Sequence, residues 1–272
     1  MTDEASLVPR NALQNVRVAI SVSDSADLSR LGLAHQHCEL AVAELARAIL
    51  IAGGTVVYGG RLVPSGFTQI LFDEVGRFAD DREALIVCVP ESEHVKLSAS
   101  EIRQLEGQAS SSVTIRCLDE GGEPVSPSAR DLTAQIDVSR GLSAMRSYVT
   151  ANTAARVVIG GRLAGQQGSF PGVLEEIRFS LEASQPVYVA GGFGGAAYAA
   201  ARAMNLDAGS WAPAGLPHGG DAWTDYLEGL GDLAPSAAAD GLNDVQRQQL
   251  AVTHRPADIA ALTVLGLSRA TS

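Results

Sequence analysis

MRSYVTANTAARVVIGGRLAGQQGSFPGVLEEIRFSLEASQPVYVAGGFGG, residues 145–195, is the stretch whose reading decides the fold. A helix carrying Arg146 leads into an apolar strand, 155–159, which stops at Gly160-Gly161-Arg162. A loop containing Gly168 follows and ends in Phe170-Pro171-Gly172, where a new helix opens with Glu175 and Glu176 in its first turn. A second apolar strand, 186–190, ends in a further glycine run that begins Gly191-Gly192. Glycines between a strand and a helix let backbone approach a ligand, and the helix start presents free N–H groups and positive dipole. Two such corners in succession predict a nucleotide-like ligand at the carboxyl edge of a parallel sheet.

The same grammar recurs toward the N-terminus. Residues 16–22, VRVAISV, read as a buried strand followed by the polar loop that holds Ser23 and Asp24. A helix over about 34–52 carries an apolar stripe at Cys38, Val42, Leu45, Ile49 and Ala52, and Gly53-Gly54 stops it. A short strand, 55–58, closes on Gly59-Gly60-Arg61, a helix runs from 65–68 to about Phe78, and 84–89 is a third strand. These βαβ units predict a Rossmann-like α/β fold, a doubly wound parallel sheet with helices on both faces. Residues 112–118 resemble another strand, 91–112 are polar and indistinct, and 119–130 read as an exposed loop. Residues 207–240 read as irregular with short helices, and 243–253 and 256–267 as two terminal helices. The expected organisation is an N-terminal tail, 1–15, a nucleotide-binding domain, 16–205, and a helical extension, 206–272, packed on it.

Composition narrows the function. A chain of 272 residues that is 46% hydrophobic can bury a full core. A net charge of -11 argues against nucleic acid or an anionic membrane as partner, although a few arginines at one corner suffice for a small anion. Three cysteines, Cys38, Cys88 and Cys117, read as buried thiols, which suits a reducing cytoplasm. No apolar run reaches the roughly 18 residues needed to span a membrane.

Several side chains stand where such a site would form. Arg61 and Arg162 each follow a double glycine and suit a bidentate phosphate contact, or are solvated loop residues. Ser21, Ser23 and Asp24 follow the first strand, where turn and capping roles are also natural. Acids at 175 and 176 also complement the helix dipole. His35-Gln36-His37-Cys38 has an i, i+2 histidine spacing that does not share one helix face, so no metal site is expected. No Walker A motif or nucleophile elbow is present, and no cofactor is expected.

The order of elements resembles the SLOG superfamily, the Rossmann-like group that includes the LOG phosphoribohydrolases, DprA and the sensor domains of the Thoeris defence system and of TRPM channels. The LOG signature is P-G-G-x-G-T-x-x-E. Here Gly160-Gly161 end the strand, a longer loop is inserted, and Gly172-Val173-Leu174-Glu175-Glu176 follows the second half, with valine at the threonine position. Met145-Arg146 sits where the family places an arginine, and the Ser21-Val22-Ser23 loop and Gly59-Gly60 match two earlier phosphate-side loops. The resemblance covers roughly residues 16–205 and is nearest to prokaryotic conflict and nucleotide-signalling types. It implies binding or sensing of a nucleotide or NAD-derived molecule. The alternative is LOG-like hydrolysis of the N-glycosidic bond of a nucleoside monophosphate, with Glu176 facing a ribosyl cation and Arg146 holding phosphate or ribose. It also implies a homo-oligomer and an effector protein partner, and the nearly uncharged helix 196–204 would suit an interface.

Overall fold

The apolar runs become six strands in a computed structural model that describes residues 8–62, 65–79, 82–109, 111–130, 135–165, 167–206, 223–237 and 239–271. They are β1 (Arg17–Ser23), β2 (Thr55–Gly59), β3 (Leu85–Pro90), β4 (Val113–Leu118), β5 (Ala155–Gly160) and β6 (Val187–Ala190). The order across the sheet is β4-β3-β2-β1-β5-β6, and every pairing is parallel. The chain winds outward from β1 to β4, then crosses back to place β5 on the other side of β1. That reversal is the topological switch point, where open α/β sheets leave a crevice at the strands' carboxyl ends.

Helices α1 (His35–Ile51), α2 (Phe67–Phe78), α3 (Glu91–His94), α4 (Ala99–Ala109), α5 (Val138–Ala151), α6 (Gly172–Glu182), α7 (Gly195–Ala203), α8 (Thr224–Leu233), α9 (Asp244–Val252) and α10 (Pro256–Ala270) cover both faces. Alternation along the strands assigns each face. Val18, Ile20, Val157 and Ile159 join Leu45, Ile49 and Ile259 in one core, while Ala19, Val57 and Cys88 pack with Met145 and Val149 of α5 on the other face. Val158 and Val189 pack there with Leu174 and Ile177 of α6 and the alanines of α7. The doubly wound architecture expected from the sequence is therefore present.

Three local outcomes differ from the sequence reading. The indistinct stretch 91–112 contains α3 and α4, and α4 opens on a reciprocal cap: Ser98 N–H donates to Glu101 Oε2 at 2.7 Å, and Glu101 N–H donates to Ser98 Oγ at 3.2 Å. The stretch read as irregular with short helices holds α8, 10 residues long and anchored by buried Leu227 and Leu230; 207–222 lie outside the described residues. The alanine-rich helix α7 is buried within the chain, from Ala196 to Ala201, and shares a core with Leu227 and Leu230 of α8. Its lack of charge is thus satisfied internally and gives no argument for a partner surface. Leu13 is fully buried, its N–H donating to Ala52 O at 2.8 Å, so it belongs to the core rather than to a free tail. No described helix is long and apolar enough to cross a membrane.

Candidate functional site

The ends of β1, β2 and β5 frame a cavity of about 560 Å³, within the range of small-molecule sites. Ser21, Ser23 and Asp24 line it from β1 and the following loop, Gly59, Gly60 and Arg61 from β2, Arg162 from the end of β5, and Gly172 and Glu176 from the start of α6. The sequence candidates therefore converge at the switch point from three strand ends. Gly161 closes the corner: at φ +105 it adopts a conformation open to glycine, and its N–H donates to Ser23 O at 2.8 Å. The next amide, Arg162 N–H, donates to Ser23 Oγ at 3.2 Å, which locks the ends of β5 and β1 together.

Other candidates stand behind the cavity wall. Glu175 is buried and accepts hydrogen bonds from Ser143 Oγ and Arg146 Nη1. Gly168 backs onto Arg146, where an added Cβ would stand 3.3 Å from Nη1. Gly191 and Gly192 lie elsewhere: a Cβ on either would run into the main chain at Ala251 or Thr253, so these glycines admit the C-terminal end of α9 and the residue after it.

Three charges meet at the cavity floor. Arg146, with its side chain 10% exposed, reaches from α5, and its Nε lies 3.7 Å from Glu176 Oε1 without a hydrogen-bond partner. Arg156 projects from β5 and is 1% exposed. It donates from Nη1 to Ser21 Oγ at 2.7 Å, from Nε to Ser180 Oγ at 2.7 Å and from Nη2 to Thr150 Oγ1 at 2.9 Å. Glu176 Oε2 lies 3.5 Å from Arg156 Nη1. Burial pulls the Arg156 guanidinium below its ordinary value, Glu176 pushes it back up, and Arg146 pulls it down further. Arginine nevertheless remains charged in proteins. Tyr58 stands nearby on β2, its phenol pushed up by burial and then by Glu176, so it stays protonated.

At the mouth, His35 Nδ1 meets Asp24 Oδ1 at 2.5 Å and Nε2 meets Glu39 Oε1 at 3.1 Å. Its ring lies 5.4 Å from that of Phe67, which also lines the cavity. Arg61 bridges to the opposite loop, donating to Gln167 Oε1 at 3.0 Å, and stands 3.6 Å from Glu93. Helices α2 and α6 both start at the cavity, and neither N-cap, Gly66 or Pro171, supplies a capping side chain. Among the described residues no group of three or more His, Cys, Asp or Glu is arranged to hold a metal ion.

The arrangement can hold an anion and a hydroxyl-bearing group side by side. Helix starts and guanidiniums supply donors, while Glu176 supplies a charged acceptor. Sequence reading missed Tyr58, Phe67 and His35 as cavity components, and Arg156 buried behind the floor. The signal for Arg156 was an arginine inside the strand ARVVIG, where every neighbour is apolar or glycine.

A family model described as SLOG cluster2 matches residues 12–235. The chain belongs to the SLOG cluster2 family. Neither a curated protein nor a solved structure matches it. Membership of SLOG cluster2 points to a nucleotide-related function, and the matched region contains every strand and the whole cavity lining.

Proposed function

We propose that the cavity binds a nucleotide or NAD-derived small molecule and that the protein senses it. The observation that carries this reading is Arg146: a nine-tenths-buried guanidinium, with one N–H lacking a partner, lines a cavity at the uncapped start of α6. Such a donor set suits a phosphate. The apolar wall of Leu142 and Met145 and the ring of Phe67 suit a base or ribose edge. A thermal-shift series with AMP, ADP-ribose, cyclic ADP-ribose isomers and NAD tests it, because a ligand that binds only the native state raises its stability by mass action. A rise in melting temperature with at least one of them is expected, and no response to any of them refutes the reading.

The second reading is N-glycosidic hydrolysis, favoured by the position of Glu176. Glu175 is tied to Arg146 and Ser143, whereas Glu176 lines the cavity and is free to face a developing ribosyl cation. Water would add to the anomeric carbon as the base leaves with the bonding electrons, and the proton lost by water balances the one the base gains. Chromatography for free base separates the readings: a sensor releases none, and a hydrolase releases base that Glu176→Gln abolishes.

A further inference from the structure

Arg156 is more deeply buried than its neighbour Glu176 requires. A guanidinium that served only to neutralise Glu176 would form a direct forked pair with it. Instead its three hydrogen bonds go to hydroxyls on three elements: Ser21 of β1, Thr150 of α5 and Ser180 of α6. The register places Arg156 beside Ala19, two residues before Ser21 on the same sheet face. That small neighbour leaves room for the guanidinium to reach the strand end. Thr150 in turn donates to Arg146 O at 3.0 Å, tying the arginine to the helix that carries Arg146.

These bonds fix the polarity of two cavity-lining groups. Ser21 Oγ accepts from Arg156, so its own hydrogen remains to be donated, and Ser21 lines the cavity. Glu176 stands 3.5 Å from Arg156 and 3.7 Å from Arg146, close enough for charge balance, while its carboxylate lines the cavity with acceptor capacity to spare. We infer that Arg156 is the positioning residue of the cavity floor, presenting Ser21 as a donor and Glu176 as an acceptor to a ribosyl group whose hydroxyls meet Glu176. The inference rests on the nucleotide reading and assigns the sugar-recognising half of that site.

Calorimetric titration of the full chain with AMP and with 2′,3′-dideoxy-AMP tests it. A hydroxyl bound to a charged acceptor implies a preference for AMP of about tenfold or more. Arg156→Lys, which cannot span three hydroxyls, should bring that ratio close to one while leaving dideoxy-AMP affinity within about twofold. Ser21→Ala removes a cavity donor and one anchor of Arg156 together, so it should weaken both ligands and also lower the ratio. Ser180→Ala withdraws one anchor of Arg156 from outside the cavity and should lower the ratio by about threefold; this small truncation decides the matter if Arg156→Lys does not fold. A merely structural arginine would weaken both ligands together and leave the ratio unchanged, so an unchanged ratio in Arg156→Lys or Ser180→Ala overturns the inference. Equal affinities in the wild type, or no binding of either probe, overturn it as well. The separate series with ADP-ribose and NAD then decides whether the nucleotide reading itself survives.

Discussion

Arg146 Nη1 donates to Glu175, not to Glu176, although both carboxylates stand within reach of the same guanidinium. The pair joins α5 to α6 behind the cavity and leaves the second glutamate facing it. Consecutive helix residues point about 100° apart, so one acid serves packing and its neighbour serves the cavity.

That division of labour gives the first expectation. Glu175→Gln removes the charge paired with a buried guanidinium and should lower unfolding free energy by about 2–4 kcal/mol. Glu176→Gln should cost roughly half as much, because its guanidinium neighbours stand 3.5 and 3.7 Å away and no hydrogen bond to it is lost. Urea denaturation with an unchanged m-value measures both. Equal costs, or the reverse order, would show that the pairing is wrongly divided.

Two glycines separate site from scaffold in the second test. A Cβ on Gly172 would stand 2.5 Å from Arg146 Nη2, the movable end of a side chain. Gly172→Ala should therefore change stability by less than about 1 kcal/mol yet displace Arg146 and weaken any phosphorylated ligand. A Cβ on Gly192 would run into the Thr253 carbonyl, which is backbone. Gly192→Ala should destabilise by about 2–3 kcal/mol. Thermal melts of the two variants provide the comparison, and a larger loss in Gly172→Ala would count against the placement of Arg146.

The contrast also shows what was legible in the sequence. The strands ending in glycine at Gly59 and Gly160 could be read because a short apolar run followed by a flexible corner admits few alternatives. The run Gly191-Gly192 has the same grammar but serves close packing against 251–253, a contact some 60 residues away that no local pattern announces. Helix α4 was missed because Ile102 is the only fully buried apolar side chain among its described residues, although the Ser98 and Glu101 spacing is a helix-start signal. The bounds of α8 could not be read because Gly229 and Gly231 depress its propensity, and Leu227 and Leu230 override that through tertiary burial. Arg156 was passed over because strand reading rewards apolar periodicity and treats one charge as noise.

The third expectation concerns His35. Its hydrogen bond to Asp24 raises its pKa above the ordinary 6.5, burial opposes this, and the charges of Asp24 and Glu39 add to the rise. The folded value exceeds the unfolded one, so the contact's stabilisation is fully present below about pH 6.5 and fades as pH rises through the folded value. The ring is substantially exposed, so the stability change should be small. Histidine NMR titration should find a midpoint above 6.5 that falls in Asp24→Asn. An unchanged midpoint would remove Asp24 as the cause.

His94 should behave in the opposite sense. It is fully buried, its Nε2–H donates to Leu118 O at 3.0 Å, and Nδ1 faces Arg130 Nη1 at 3.4 Å. Burial is the main cause that lowers its pKa below 6.5; the bond to Leu118 pushes the other way, and Arg130 lowers it again. Protonation would need a hydrogen on Nδ1, pointed at a guanidinium that is already anchored to Leu97 O at 2.8 Å and Pro127 O at 2.8 Å. The folded chain therefore keeps His94 neutral at pH values where the unfolded chain takes up a proton. Stability should be insensitive to this residue above about pH 6.5 and should fall as pH drops from there toward the folded value. Unfolding free energy measured from pH 7.5 to 5 should show that loss. The slope should shrink in His94→Gln, whose amide nitrogen still has Leu118 O as an acceptor but which does not titrate. A variant with the same acid slope as the wild type would assign the loss to other groups.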